Sequence, residues 1–142
     1  MKIHLDTPSG YVIHSYGEGQ ITVRVPLDER PDAAAETPPS PETARKTLTR
    51  SLIITPDRLI TDWPPGDLSE LAAHHLEPIV ALEPELVLLG VGRRLRFPEP
   101  ALVAPLANRG IGVEFMDSAA ACRTYNLLAA DDRRVAAAIL IA

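Results

Sequence analysis

Proline distribution constrains this chain more than any other feature. Five of the 14 prolines fall at positions 26, 31, 38, 39 and 41, and none follows Pro105. A proline inside a helix or a central strand removes a ladder hydrogen bond, so regular elements avoid it. The stretch from 26 to about 46 is therefore expected to be a flexible Pro/Ala-rich loop, with Asp28, Glu29, Asp32 and Glu36 adding charge. The residues after Pro105 can run as uninterrupted elements.

Hydrophobic patterning fills in the rest. Residues 11–13 and 21–25 read as strands joined by the turn Gly17-Glu18-Gly19. Two β-rich runs, 48–55 and 58–63, flank Pro56-Asp57. Asp67 or Ser69 can cap a helix reaching about residue 82, with Leu68, Leu71, Leu76 and Ile79 on one face and Pro78 weakening its last turn. From Glu85 the pattern becomes α/β. The wholly apolar run 86–89 suits a strand covered on both faces. Pro98 or Pro100 opens a helix that Gly110 stops, and residues 111–116 form the next strand. Asp117 caps a helix from 118 to about 130, Asp131-Asp132 turns the chain, and 135–141 is a last apolar strand.

Size and charge exclude several classes. At 142 residues the chain suits one domain, spanning 1–142, and a 46% apolar content allows a packed core. A net charge of -5 argues against nucleic acid as the main partner, which would call for a basic footprint. No window offers the apolar length of a membrane span, and the N-terminus lacks signal-peptide character, so a cytoplasmic location is expected. One cysteine, Cys122, cannot make an internal disulfide. The four histidines show no metal-ligand spacing, so neither a metal nor a cofactor is expected.

The stretch "GVGRRLRFPEP", residues 90–100, is the first candidate site. A dinucleotide fingerprint would need glycine where Leu95 stands, and no Gly-Lys-Ser/Thr follows to make a phosphate loop. Gly90 and Gly92 still permit close backbone approach, while Arg93, Arg94 and Arg96 leave the carboxyl end of a buried strand, where open α/β sheets bind their ligands. A solvated charged loop is the plain reading; an anion site or an acidic protein surface is the functional one.

The segment "MDSAAACRTYNLLAADDRRVAAAILI" is the second. Ala119, Ala120, Ala121 and Cys122 would let a helix lie close to the sheet. Arg123, Thr124, Tyr125 and Asn126 then put polar groups in mid-helix, which demands partners. Either they form a buried network tying the helix to neighbouring loops, or Arg123 and Asn126 face the glycine loop across a polar pocket beside Asp117. Cys122 reads as a packing residue rather than a nucleophile, because no His-Asn arrangement accompanies it.

Taken together, "ELVLLGVG", "GIGVEFMDSAAACRTYNLL" and "RRVAAAILI" resemble a family catalogued as a domain of unknown function, which includes the mitochondrial respiratory complex I assembly factor three with bacterial and archaeal relatives. The match is strongest from about 85 to 141. The resemblance implies an α/β fold with three layers, β+α/β/α, around a mixed five-stranded sheet. It implies no established catalysis and no cofactor, and it points to a protein partner. The family's recurrent residues correspond to Gly90, Gly92, Met116, Asp117, Cys122, Thr124, Tyr125, Asn126 and Arg133. A mitochondrial location is not expected to carry over, because residues 1–6 have no presequence character, and the 26–41 loop looks like an elaboration. The resulting expectation is a non-enzymatic binding or assembly module using Gly90, Gly92, Arg93, Arg94, Arg96, Asp117, Arg123 and Asn126. The alternative is a small anionic-ligand-binding protein, or an enzyme, using the same place.

Overall fold

The computed structural model describes residues 10–26 and 44–141. The loop expected at 26–46 lies for the most part outside them. Strands β1 (Val12–Gly17) and β2 (Gln20–Arg24) form a hairpin over Glu18-Gly19, where Gly19 takes a φ of 70°. Strand β3 (Arg45–Leu48) pairs antiparallel with β2 and completes a three-stranded sheet in the order β1-β2-β3.

A second sheet has five strands in the order β5-β4-β8-β6-β7. Its members are β4 (Leu52–Ile54), β5 (Leu59–Ile60), β6 (Leu86–Gly90), β7 (Gly112–Met116) and β8 (Val135–Ile139). Strands β7, β6 and β8 run parallel, whereas β4 runs antiparallel to both of its neighbours, β8 and β5, so the sheet is mixed. The run expected as one strand over 48–55 divides between the sheets: Leu48 ends β3, and Leu52 begins β4. The second run, 58–63, shortens to β5, because Trp63 leaves the ladder and donates its backbone N–H to Ser51.

Side-chain alternation accounts for the three layers. Leu52, Ile54, Leu88, Val135, Ala137 and Ile139 face one side of the central sheet, and Ile53, Val87, Leu89, Ala136, Ala138 and Leu140 face the other. Both sets are buried, which is why β6 and β8 carry no polar residue. Each Leu or Ile so covered contributes about 1.5–3 kcal/mol. The first face packs against helix α3 (Ser118–Ala130) and, beside it in the same layer, the β1-β2 hairpin. The second face packs against short helices and Trp63. The fold is therefore α/β, with β+α, β and α layers.

The short helices differ from the sequence expectation. Residues 67–82 form no single helix but a 3-10 turn (Leu68–Glu70), a second (Ala73–Leu76), and α1 (Glu77–Ala81). Pro78 sits in the first turn of α1 rather than weakening a last one, because there its missing N–H costs nothing. Asp67, not Ser69, is the cap, accepting from the Ser69 N–H at 2.9 Å. The same division recurs downstream, where a 3-10 turn (Pro100–Val103) precedes α2 (Ala104–Ala107) and Pro105 opens the α turn. Gly110, at φ 72°, closes it.

Candidate functional site

The carboxyl ends of β6 and β7 meet the N-terminus of α3. Asp117 caps that helix, its Oδ1 accepting from the Ala120 N–H at 2.8 Å. Ser118 makes the joint. Its N–H donates to the Gly92 carbonyl at 2.8 Å, and its Oγ accepts from the Gly92 N–H at 2.9 Å. The same hydroxyl donates to the Leu140 carbonyl at 2.7 Å. One side chain thus ties the ends of β6 and β8 to the helix start. Sequence reasoning missed Ser118; its signal was the hydroxyl that directly follows a capping acid among alanines.

The glycines serve this joint. A Cβ on Gly90 would stand 3.1 Å from both the Ala121 Cβ and the Ser118 Cα, closer than ordinary packing allows. The small residues of α3 and Gly90 together bring the helix onto the sheet. Gly92 holds a φ of 110°, a conformation that side chains rarely adopt.

A cleft of about 290 Å³ opens beside Gly92, between this joint and the β1-β2 turn. Arg93, Asp117, Cys122, Tyr16 and Glu18 line it. Arg93 lies 3.6 Å from Glu18 across its mouth. Of the residues expected at the site, Gly92, Arg93 and Asp117 meet here, and Gly90 lies behind them against the helix. Tyr16 and Glu18 come from the hairpin, a neighbour that local sequence spacing does not reveal.

The other arginines diverge. Arg96 turns to Asp67, Nη2 to Oδ1, at 2.8 Å. Donation from the Ser69 N–H and hydroxyl, then from Arg96, holds the Asp67 carboxyl well below the usual carboxylate range. Arg94 is exposed and pairs with no acid among the described residues. Leu95 and Phe97, on either side of Arg96, are 50% and 70% exposed, with Phe97 edge-on to Phe115 at 5.8 Å.

Arg123 and Asn126 do not face the glycine loop across a pocket; of the two readings open from sequence, the hydrogen-bond network is the one found, with strand β1 in place of the neighbouring loops. Both reach strand β1. The Arg123 Nη1 donates to the Tyr16 hydroxyl at 2.7 Å. Asn126 takes both backbone groups of Ile13, and the Tyr125 hydroxyl donates to the Tyr11 carbonyl at 2.7 Å. The polar run in mid-helix is the seam between α3 and the hairpin. A strand edge presents unpaired N–H and C=O groups, and this seam satisfies them.

Cys122 is buried, and that burial pushes its thiol up to about 12. A thiol so held stays protonated at neutral pH, as a packing role requires. Among the described residues, no group of three or more His, Cys, Asp and Glu could hold a metal ion. Nor is any helix there long and apolar enough to cross a membrane.

Comparison with known proteins agrees with this architecture. A "13 kDa major membrane protein" of Francisella tularensis subsp. holarctica is 36% identical over 74 residues, covering 52% of this chain and 60% of that protein. The NADH dehydrogenase [ubiquinone] 1 alpha subcomplex assembly factor 3 of Danio rerio is 35% identical over 83 residues, covering 57% and 48% respectively. The chain thus spans only about half to three fifths of the length of these relatives. A crystal structure from Bordetella parapertussis superposes with a TM-score of 0.74 at 31% identity, covering 94% of this chain and 98% of that one. Residues 40–140 match the family described as protein of unknown function (DUF498/DUF598), and the chain belongs to that family.

Proposed function

We propose that this chain is a non-enzymatic binding or assembly module whose contact surface is the 90–98 loop with the N-terminal end of α3. The observation that carries the reading is the exposure of Leu95 and Phe97 on an anchored loop. Ser118 fixes the base of that loop at Gly92, Arg96 is tied to Asp67, and Phe97 rests against Phe115. Two large apolar side chains held in water, flanked by Arg93 and Arg94, suit an apolar protein patch with an acidic rim. Preorganisation lowers the entropic cost of docking.

The named role of the Danio rerio relative supports a partner among NADH dehydrogenase subunits. The chain would act in the cytoplasm on a membrane-bound partner, which accommodates the name of the Francisella relative. A small anionic ligand fits the cleft less well. The Gly92 amide is already donated to Ser118, and Asp117 and Glu18 both line the space. The test is affinity capture from the native organism with Leu95→Ser/Phe97→Ser beside the wild type. Enrichment of NADH dehydrogenase subunits by the wild type alone supports the reading; equal enrichment by both removes the loop from the interface.

A further inference from the structure

At the opposite end of the central sheet, a second cleft of about 260 Å³ gathers charges that the surface described above does not use. Three connections form it: the β4-β5 turn, the α1-β6 link and the α3-β8 link. They supply Asp57 and Arg58, then Glu83, then Asp132, Arg133 and Arg134. Three arginines and three acidic residues, all exposed, border one small space. Among the described residues, however, no ion pair joins any of these arginines to any of these acids. Arg133 alone has an acidic partner, its Nε donating to Glu85 at 3.1 Å, and Glu85 also accepts from the Arg134 backbone N–H. That clamp fixes where the two arginines leave the backbone.

The acids stand where stability alone would not place them. Glu83 and Asp132 follow the ends of α1 and α3 with φ of 52° and 57°, in the left-handed region that favours glycine. A negative charge at a helix C-terminus also opposes the helix dipole. Two acids in left-handed, dipole-opposed positions therefore border the same cleft as the arginines without pairing to them.

We infer that this cleft binds a small zwitterion of the amino-acid class, its carboxylate on Arg58 and Arg134 and its ammonium group among Asp57, Glu83 and Asp132. Guanidinium forks suit a carboxylate. A ligand of one sign would meet as many like charges as opposite ones. The inference is independent of the partner surface, which lies at the other end of β6.

The experiment is a titration of the isotope-labelled protein, followed by backbone amide shifts. The probes are γ-aminobutyrate and L-alanine, which carry both charges at two spacings, against butyrate and butylammonium, which carry one each. At least one zwitterion should shift the amides of residues 57, 58, 83, 85 and 131–134 with a Kd in the millimolar range or below. Butyrate and butylammonium should bind at least about tenfold more weakly, a difference of about 1.4 kcal/mol. Arg58→Gln/Arg134→Gln should abolish the shifts while its spectrum elsewhere, including residues 92–97, stays that of the wild type. Equal binding of butyrate, persistence of the shifts in the double variant, or no response to either zwitterion would overturn the inference.

Discussion

Asn126 closes both backbone groups of Ile13: its Nδ2 donates to the Ile13 carbonyl at 2.8 Å, and its Oδ1 accepts from the Ile13 N–H at 2.9 Å. A helix side chain thereby does for one residue of β1 what a neighbouring strand would do. Asn126→Leu should destabilise the protein by about 1–3 kcal/mol, since it leaves a donor and an acceptor unpaired at a half-buried edge. Denaturant melts give the size, and amide exchange gives the place. The Ile13 N–H should exchange faster, whereas residues 90–97, which Asn126 does not touch, should not change.

That partnership shows where the sequence stopped being legible. The capping Asp117, the apolar run before Gly90 and the lack of proline after Pro105 delimit α3 and its flanking strands by local chemistry alone. The need of Asn126 for partners was equally legible, because a mid-helix amide requires them. Its partner was not, for Ile13 lies 113 residues away. Strand β1 was underestimated in length because residues 14–17 are exposed and show no alternation. The apolar residues of 67–82 kept a helical spacing while the backbone broke into turns, since burying one face needs only that spacing.

Gly90 has no room for a side chain. Gly90→Ala would set a methyl group 3.1 Å from the Ala121 Cβ and the Ser118 Cα, so α3 must give by a few tenths of an ångström. A loss of about 1–3 kcal/mol is expected, as for other overpacked cores. Thermal melts check it, and Ala121→Gly in the same chain should recover part of the loss by removing one of the three close contacts.

Cys122 should behave as packing. Cys122→Ala should cost about 1 kcal/mol or less, and Cys122→Leu more, because the helix again has no room to move. Iodoacetamide should label the native thiol slowly at neutral pH. Alkali supplies a second check. The folded thiol is held up to about 12 against an ordinary value of 9.0, so its contribution is complete below pH 9. As pH rises above 9 the unfolded thiol ionises first, and stability falls. Melts between pH 8 and 10.5 should therefore decline less steeply for Cys122→Ala than for the wild type (about 8 and 10.5 being set by the thiol and Tyr ranges).

The partner surface makes the most direct demand. Arg93 and Glu18 are 67% and 86% exposed at 3.6 Å, so their pair contributes at most about 1 kcal/mol to stability. Reversing charge at an acidic interface, by contrast, turns attraction into repulsion. The deciding measurement is capture of NADH dehydrogenase subunits by Arg93→Glu/Arg94→Glu, with a melt of the same preparation. The account predicts a melting temperature within a few degrees of the wild type and capture reduced to background. Undiminished capture by a folded double variant would contradict it.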